Sequence, residues 1–302
     1  MIQRRDHRIP LALSDRDLIE AALSKHRGTP FSIASQQAIG GGCINDAYRL
    51  RGDDGQTYFV KANSPSFLPA FQTEAQALAE LAATQTVRVP HVVAALAGDS
   101  QAYLILEYIE TRPSHSGDWQ SLGRQLAQLH RIEQSFFGWT HDNHIGATPQ
   151  ANPRTDSWPE FFRLHRLERQ LSLCASRGYN LPQSDALLAA LPSFFENHQP
   201  SPSLLHGDLW SGNVSFASDG SPFLYDPASY YGDREADLAF TEFFGGFPAS
   251  FYQAYREALP LDSGYERRKI LYNLYHCLNH LYLFGASYAH QAEQMARQLL
   301  SR

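Results

Sequence analysis

The chain changes its hydrophobic period near residue 110, and this change constrains its fold most strongly. Short segments rich in strand-forming residues occupy the stretch from about Phe31 to Tyr108, and Asp53-Asp54-Gly55 between two of them predicts a hairpin turn. A helical interval from Phe71 to Ala83 interrupts these strands. Beyond them the pattern becomes mostly helical, so the sequence predicts an α+β protein whose first part is rich in sheet.

The second part of the chain contains three helical stripes of apolar residues. Each stripe keeps a spacing of about three or four residues, although the middle one is imperfect. The stripes are Trp119, Leu122, Leu126 and Leu129; Phe161, Leu164, Leu167 or Glu168, Leu171 and Cys174; and Ile270, Leu274, Leu278 and Leu281. In this part, strand-like sequence returns only between Ser203 and Asp226, which also carries a group of polar residues.

These polar residues stand at intervals that indicate phosphoryl transfer. His206-Gly207-Asp208 is followed by Asn213, and Asp226 lies 18 residues after Asp208. In protein-kinase-like enzymes, H-x-D-x-x-x-x-N supplies an Asp that orients or deprotonates the acceptor hydroxyl and an Asn that, with a later Asp, holds Mg²⁺. A plain turn would explain a lone H-G-D. The complete set favours catalysis by Asp208 and Mg²⁺ binding by Asn213 and Asp226.

Residues that fit an ATP site precede this motif. Gly40-Gly41-Gly42 follows the first predicted strand and lets main-chain N–H groups approach phosphates, although the run departs from G-x-G-x-x-G. Lys61 ends an apolar strand that resembles the V-A-I-K strand of kinases, and Glu74 lies 13 residues later in the predicted helix. The sequence therefore predicts that the glycines and the Lys61–Glu74 pair bind the phosphates of ATP.

The segment Glu107-Tyr108-Ile109 lies at the predicted boundary between the two parts and is the predicted contact for adenine. It follows the last strand of the first part and precedes Thr111, Arg112 and Pro113. We predict an N-terminal nucleotide-binding lobe at residues 1–107, a hinge at 108–113 and a helical catalytic and substrate lobe at 114–302. By analogy, this is the two-lobed protein-kinase-like fold of aminoglycoside phosphotransferases and choline kinases, with the ligand between the lobes.

Composition argues against several other classes of function. The 302 residues include 25 basic and 31 acidic side chains, and the net charge of −6 argues against binding to nucleic acid or an anionic membrane. No window predicts a membrane span, and the amino terminus lacks the apolar core of a secretory signal. Cys43, Cys174 and Cys277 have neither disulfide nor zinc spacing and favour the reducing cytoplasm. Cys43 is either a small apolar filler or a redox-sensitive thiol beside the phosphates.

These motifs resemble the fructosamine (ketosamine) 3-kinase family. The loop from His206 to Asn213, with Trp210 inside it, is the most specific part. Other segments that fit the family are Asp226-Pro227-Ala228, the run from Tyr230 to Ala239, His144-Ile145-Gly146 and Thr148-Pro149-Gln150. The resemblance covers the chain from about Gly40 to the final helices, and bacterial-type members favour ribulosamines and erythrulosamines over fructosamines.

The resemblance implies an ATP-dependent kinase that phosphorylates the sugar 3-hydroxyl of ketoamines. The acceptor is either a ketoamine small molecule or a glycated protein lysine. The phosphorylated adduct is unstable and releases the amine, so the expected role is protein deglycation in the cytoplasm.

Four residues are candidates for contact with the acceptor. Trp210 either stacks on the sugar or the amine-bearing arm, or anchors packing. Asp233 and Glu235 are expected to attract the protonated amine, with a salt bridge to Arg234 as the alternative. His115 is a further candidate for the lining of the acceptor pocket.

Two other functions fit the same motifs. The acceptor could be an aminoglycoside, choline or another hydroxyl compound, although the Trp-Ser-Gly sequence at 210–212 argues against this alternative. A nucleotide-binding pseudokinase is the second alternative, but the residues expected of an active kinase are present. They are Lys61, Glu74, Asp208, Asn213 and Asp226.

Overall fold

The computed structural model describes residues 13–40 and 44–301 of the chain. Within these residues the chain divides into two compact units. The first unit comprises the chain up to Ala83 together with Val89–Thr111, and the second comprises Thr84–Arg88 together with the chain from Arg112 onward.

In the described residues of the first unit, two α-helices accompany a five-stranded sheet. The elements are α1 (Arg16–Arg27), β1 (Ile33–Ile39), β2 (Asp46–Gly52), β3 (Thr57–Asn63), α2 (Leu68–Ala83), β4 (Val92–Ala97) and β5 (Ala102–Glu107). The strands follow the order β1-β2-β3-β5-β4, and neighbouring strands are antiparallel. The predicted turn at Asp53-Asp54-Gly55 joins β2 to β3, and Gly55 has a φ of 84°, which glycine adopts without strain.

The core of the first unit lies between α1 and the sheet. Ile19 and Leu23 of α1 are fully buried in one cluster with strand residues such as Leu50, Val60 and Ile105. These strand residues belong to β2, β3 and β5, so one helix covers the three central strands. Apolar burial of this kind contributes roughly 1.5–3 kcal/mol for each large side chain.

A buried carboxylate joins the start of α1 to the turn between β4 and β5. Asp15 is 1% exposed and accepts hydrogen bonds from the main-chain N–H groups of residues 99–101 at 3.1–3.3 Å. The hydroxyl of Tyr103 donates a further one at 2.9 Å. Burial raises the pKa of Asp15, but the hydrogen bonds from Tyr103 and the amides outweigh it and hold this pKa below its usual value.

The second unit holds eight α-helices and three short strand pairs among its described residues. The helices are α3 (Ser116–Leu129), α4 (Trp158–Phe162), α5 (Glu168–Ser176), α6 (Ser184–Ala190), α7 (Glu235–Thr241), α8 (Ala249–Ala258), α9 (Tyr265–Phe284) and α10 (Ala289–Leu300). The strands are β6 (Asn143–Ile145), β7 (Thr148–Gln150), β8 (Ser203–Leu204), β9 (Val214–Phe216), β10 (Pro222–Leu224) and β11 (Tyr231–Gly232). The antiparallel pairs are β6–β7, β8–β11 and β9–β10.

Helix α9 is the central helix of the second unit. It packs against α5, α7 and α10, and its residues Leu271, Leu274 and Leu278 are fully buried. Helices α3 and α8 approach each other closely at Gly123. A Cβ at this position would overlap the carbonyl oxygen of Phe251, so glycine permits the close packing. None of the described helices is long and apolar enough to cross a membrane.

A π-helical segment, Arg163–Leu167, links α4 to α5 and explains the imperfect stripe in the sequence. Phe161 and Leu167 are both fully buried although they are six residues apart, a separation that does not return to one face of a regular α-helix. The i→i+5 hydrogen bonds of a π segment shift the following residues around the axis and bring both side chains into the core.

Candidate active site

The first unit contains the predicted lysine–glutamate pair. Nζ of Lys61, near the end of β3, lies 2.5 Å from Oε1 of Glu74 on α2. The lysine side chain is 6% exposed and the glutamate side chain 14%. The pair therefore holds an ammonium group in a sparsely hydrated position, where it can meet the oxygens of a phosphate.

Asn63, two residues after Lys61, ties down the chain beyond the glycine run. Its Nδ2 donates to the carbonyl oxygen of Ile44 at 3.2 Å and to Oδ1 of Asn45 at 2.8 Å. Gly40 is exposed directly after β1. Gly41, Gly42 and Cys43 lie outside the described residues, so the phosphate contacts predicted for the two glycines and the redox hypothesis for Cys43 stay predictions.

The predicted adenine contact, Glu107 to Ile109, begins at the last residue of β5. The N–H of Glu107 donates to the carbonyl oxygen of His91 at 2.8 Å, so this group is used within the unit. The guanidinium of Arg49 lies 4.5 Å from the ring centroid of Tyr108, and its Nη2 lies 2.8 Å from Oε1 of Glu110. Arg49, which sequence reasoning did not identify, thus holds the side chains on both sides of Ile109.

The second unit brings Asp208 and Asn213 together in one loop. A short 3₁₀ turn at Ser211–Asn213 folds the chain back after Trp210. Nδ2 of Asn213 donates to the carbonyl oxygen of Asp208 at 2.8 Å and to its Oδ2 at 3.1 Å. Asp208 is half-buried and Asn213 is 5% exposed. The amide nitrogen thus orients the Asp208 carboxylate, and Oδ1 of Asn213 is turned away from it.

The hairpin of β9 and β10 returns the chain from Asn213 to Asp226. Val214 pairs with Leu224, and the N–H of Tyr225 continues the ladder by donating to the carbonyl oxygen of Asn213 at 3.2 Å. Asp226 follows directly, with a φ of 59° in the left-handed region. Aspartate tolerates this region better than most residues, at a cost of roughly 1–2 kcal/mol.

His206 supports the chain on both sides of Asp226. Its Nε2 lies 3.1 Å from the carbonyl oxygen of Tyr225, and its own carbonyl oxygen accepts the N–H of Ala228 at 2.9 Å. Its Nδ1 accepts the N–H of Asp208 at 3.3 Å, so Nε2 carries the proton. Burial lowers the pKa of His206, in keeping with this neutral ring. The histidine of the motif is therefore a structural link between the segments of Asp208 and Asp226.

Asp237 on α7 holds the start of the catalytic loop. Its Oδ2 accepts the N–H of His206 at 2.7 Å, and its Oδ1 accepts the N–H of Gly207 at 2.8 Å. His130 Nε2 lies 3.2 Å from Oδ2, and Nδ1 of this histidine lies 2.8 Å from the hydroxyl of Tyr255. Asp237 therefore caps the amides at the start of this loop, and no local sequence pattern marks His130 or Tyr255 as its neighbours.

The hairpin of β6 and β7 braces the segment that follows Asp226. Nδ2 of Asn143 donates to the carbonyl oxygen of Ser229 at 2.8 Å, and Nε2 of Gln150 reaches the carbonyl oxygen of Ala228 at 3.4 Å. Gln150 is itself held by the hydroxyl of Tyr275 at 2.5 Å. On the other side, a Cβ at Gly207 would overlap the carbonyl oxygen of Ala228. The Thr148-Pro149-Gln150 motif, found only through the family resemblance, thus gains a physical role.

Asp233 and Glu235 do not line an exposed surface. They are 1% and 0% exposed. Asp233 accepts hydrogen bonds from Tyr272 and from His198, at 2.5 and 2.7 Å, and Glu235 forms two bonds with Arg268 at 2.6 and 2.9 Å. These contacts are structural, and neither carboxylate is exposed to the amine of a substrate.

The pairing of these acids differs from the predicted salt bridge with Arg234. The guanidinium of Arg234 instead donates to the hydroxyl of Tyr255 and to the carbonyl oxygens of Leu259 and Pro260. Burial lowers the pKa of His198, but the carboxylates of Asp233 and Glu235 outweigh it and raise this pKa. Charged residues are rarely fully buried unless they are paired, and the partners of these two are His198, Tyr272 and Arg268 rather than the adjacent Arg234.

Trp210 and His115 remain accessible. Trp210 is half-buried, its ring lies over Gly212, and its centroid is 5.3 Å from that of Phe244. A Cβ at Gly212 would overlap the indole, which explains why glycine stands there. His115 is exposed before α3, and its N–H donates to Asp118 at 2.7 Å.

The donor set fits a magnesium ion. Asn213 offers an amide oxygen, Asp226 offers a carboxylate, and the hydrogen bond between Tyr225 and Asn213 brings the two segments side by side. Mg²⁺ prefers such oxygen ligands and completes its shell with water and phosphate.

Comparison with solved structures identifies the fold. The chain aligns with a choline kinase of Streptococcus pneumoniae at a TM-score of 0.62 and 16% identity, covering 94% of this chain and 98% of that one. A likeness at this identity shows the fold alone. The protein therefore has the α+β protein-kinase-like fold of small-molecule phosphotransferases, as predicted.

The chain belongs to the fructosamine kinase family, whose profile matches residues 16–302. A Synechocystis protein described as a probable ketoamine kinase is 48% identical over 283 residues, covering 93% of this chain and 96% of that protein. A chloroplastic protein-ribulosamine 3-kinase of Oryza sativa is 39% identical over 291 residues, covering 94% and 83%. A crystal structure from Haemophilus somnus, assigned to the fructosamine-3-kinases, aligns at a TM-score of 0.88 with 33% identity, covering 93% and 96%. The predicted family is confirmed, and the chain is a phosphotransferase that uses an alcohol group as acceptor.

Proposed function

We propose that this protein transfers the γ-phosphoryl group of ATP to the sugar 3-hydroxyl of ketoamines. The observation that carries the proposal is the hydrogen bonding of Asn213 to both the main chain and the carboxylate of Asp208. This arrangement aims one carboxylate and offers one amide oxygen, as phosphoryl transfer requires. The names of the relatives support a ketoamine as the acceptor.

Asp208 is the proposed catalytic residue. Its carboxylate accepts a hydrogen bond from the acceptor hydroxyl and thereby orients the hydroxyl oxygen towards the γ-phosphorus. The new O–P bond forms as the bond between the γ-phosphorus and the bridging oxygen breaks, and that oxygen leaves with the electron pair on ADP. The hydroxyl proton passes to Asp208 late in the transfer and then to water. Orientation supplies most of the rate, since little covalent work is required of the protein.

The proposed phosphate contacts lie in the first unit. The ammonium of Lys61, fixed by Glu74, binds the α- and β-phosphates, and the main chain of Gly40, Gly41 and Gly42 binds phosphate oxygens. The main chain between Glu107 and Ile109 contacts adenine. Because the N–H of Glu107 already donates to the carbonyl oxygen of His91, the proposed main-chain donors to adenine are the N–H groups of Tyr108 and Ile109.

Asn213 and Asp226 are the proposed ligands of Mg²⁺. The bound ion would neutralise charge on the phosphates during transfer. His206 and Asp237 do not contact the ion in this proposal, and they keep the two ligand-bearing segments together.

The proposed product decomposes and releases the amine, so the role is deglycation of small amines or of protein lysines. Reduced cytoplasm is the proposed location. Cys174 and Cys277 are both free and buried, and burial raises the pKa of their thiols to about 11 and about 12. A protein that keeps such cysteines unpaired is compatible with a reducing compartment.

The experiment is an ADP-release assay with Mg-ATP and three separate acceptors, ribulose-lysine, erythrulose-lysine and fructose-lysine. Turnover is expected, and Asp208→Asn should retain ATP binding while kcat falls by about 10²–10⁴-fold. Asp185→Asn, an identical change at an exposed position on α6, should leave kcat unchanged.

Three results would contradict the proposal in different ways. Undiminished turnover in Asp208→Asn would exclude its catalytic role. Activity with choline or an aminoglycoside and none with any ketoamine would change the acceptor but keep the chemistry. Stabilisation by nucleotide against thermal unfolding, without ADP release on any acceptor, would indicate a pseudokinase.

A further inference from the structure

An aromatic strip extends from the catalytic loop across the second unit. We define it as Trp210, Phe244, His280 and Phe284. The ring centroids are 5.3 Å apart for Trp210 and Phe244, 5.2 Å for Phe244 and His280, and 5.4 Å for His280 and Phe284. Phe244 and Phe284 are each 37% exposed, and they are two of the three large exposed apolar side chains in the described residues. An exposed apolar cluster of this kind is typical of a binding surface.

The strip is held in place by the residues beneath it. The ring of Phe244 contacts that of Phe243 at 4.7 Å and that of Phe240 at 5.9 Å. Phe240 stacks on His276 with centroids 3.5 Å apart. The aromatic rings are therefore ordered before any ligand binds, which lowers the entropic cost of binding.

The strip carries no positive charge that would repel an amine. Nδ1 of His280 donates to the carbonyl oxygen of His276 at 2.8 Å. Burial lowers the pKa of His280 and of His276, so both rings are neutral near pH 7. The faces of Trp and Phe rings attract ammonium groups electrostatically. The strip can therefore accept a cationic group together with an apolar chain.

The start of the strip lies within reach of the reacting hydroxyl. Trp210 is two residues from Asp208, so their Cα atoms are at most about 7 Å apart. In a ketoamine, four bonds separate the 3-hydroxyl oxygen from the amine nitrogen, a distance of roughly 5 Å at bond lengths near 1.5 Å. These two lengths are comparable, so an acceptor with its hydroxyl at Asp208 can place its amine at Trp210.

We propose that the aromatic strip binds the amine-bearing arm of the ketoamine and makes the enzyme prefer long alkyl or aromatic arms. The ammonium lies against Trp210, and the arm continues over Phe244 towards Phe284. This inference rests on the proposed function. It adds a determinant of specificity that does not depend on which sugar is phosphorylated.

The test compares ribulosamines of methylamine, butylamine and benzylamine, which share one sugar and differ only in the arm. Each buried methylene contributes about fourfold in affinity, so kcat/KM should be at least about tenfold higher for the butylamine adduct than for the methylamine adduct. In Phe244→Ala this ratio should fall to about 2, because the butyl arm that starts at Trp210 is long enough to reach the neighbouring ring of Phe244. Phe244→Leu should keep much of the preference for butylamine but lose part of that for benzylamine, because it retains apolar area without an aromatic face.

Leu18→Ala is the matched control, since Leu18 is an apolar side chain of similar exposure, 38%, on α1. It should leave the ratio unchanged, and thermal unfolding of each variant confirms that it is folded. Equal kcat/KM for the three adducts in the unaltered protein, or an unchanged ratio in Phe244→Ala, would overturn the role of the strip while the proposed function stands. Absence of turnover with all three adducts, and with ribulose-lysine, would overturn both.

Discussion

Replacement of Asp237 should show how far the catalytic loop depends on one carboxylate. Its two oxygens accept the N–H groups of His206 and Gly207 at 2.7 and 2.8 Å, and Nε2 of His130 lies 3.2 Å away. Asp237 is 2% exposed, His206 is 0% exposed and His130 is 1% exposed. Water therefore has little access to these donors if the carboxylate is removed.

The expected loss follows from the number of donors left without an acceptor. Asp237→Asn keeps the shape but replaces one oxygen with an NH₂ group, so one main-chain N–H loses its acceptor whichever way the amide faces. His130 can adapt by exchanging its tautomer, since the hydroxyl of Tyr255 at its Nδ1 both donates and accepts. One orphaned buried donor costs about 2 kcal/mol, and the two orphaned amides of Asp237→Ala cost about 4 kcal/mol.

The assay combines denaturant unfolding with kcat for a ketoamine acceptor. The free energy of unfolding should fall in the order unaltered protein, Asp237→Asn, Asp237→Ala. Misplacement of the loop by about 1 Å costs about 10²-fold in rate, so kcat should fall in both variants while ATP binding persists. Asp185→Asn, an exposed change on α6, is the control and should alter neither quantity. If the free energy of unfolding falls by less than about 1 kcal/mol in Asp237→Ala, or if kcat is unchanged, the catalytic loop does not depend on this carboxylate.

Two further predictions concern Asp15 and Gly212. Because hydrogen bonds keep the pKa of folded Asp15 below that of the unfolded chain, the stability it contributes is present above about pH 4 and is lost as the pH falls through the folded pKa. The difference in unfolding free energy between the unaltered protein and Asp15→Asn, about 1–3 kcal/mol at pH 7, should shrink by pH 3, and a constant difference would contradict this. Gly212→Ala should displace the indole of Trp210 and lower kcat/KM for ketoamines at least about tenfold, whereas Ser211→Ala, at an exposed neighbour, should not. If the added Trp210→Ala substitution fails to raise the melting temperature of Gly212→Ala, the proposed overlap is not the cause.

The regular elements were predictable because each contains enough residues to show its hydrophobic period. The strand segments of the first unit and the helix containing Glu74 appear where the sequence placed them, with α2 beginning at Leu68 rather than Phe71. Leu78 and Leu81 of this helix are 1% and 0% exposed, as expected of apolar residues three apart on a helix that packs on one face. By contrast, β6 and β7 have three residues each, too few to show alternation. These short strands depend on Asn143 and Gln150, whose partners are distant in sequence.

The order of site residues along the chain was predictable, but the burial of charged residues was not. Asp233 and Glu235 flank Arg234 in a short charged run, and nothing local distinguishes a buried acid from an exposed one. Their partners are His198, 35 residues earlier, and Arg268, 33 residues later. Asp237 lies in the same run, and the amides that it caps, those of His206 and Gly207, are 31 and 30 residues earlier. The identity of its other neighbour, His130, depends on a contact across 107 residues.

The 18-residue interval between Asp208 and Asp226 is a consequence of strand register rather than a requirement in itself. Asn213 belongs to the catalytic loop, and the ladder of Val214 with Leu224 continues so that the N–H of Tyr225 meets Asn213. A β-hairpin of any length returns the chain to its starting point, provided that the register is kept. What fixes Asp226 near Asn213 is therefore the pairing at the base of the hairpin, together with His206, which bonds to Tyr225 on one side and Ala228 on the other. For this reason the spacing in the sequence identifies the chemistry only when the residues around it can form that hairpin and that histidine link.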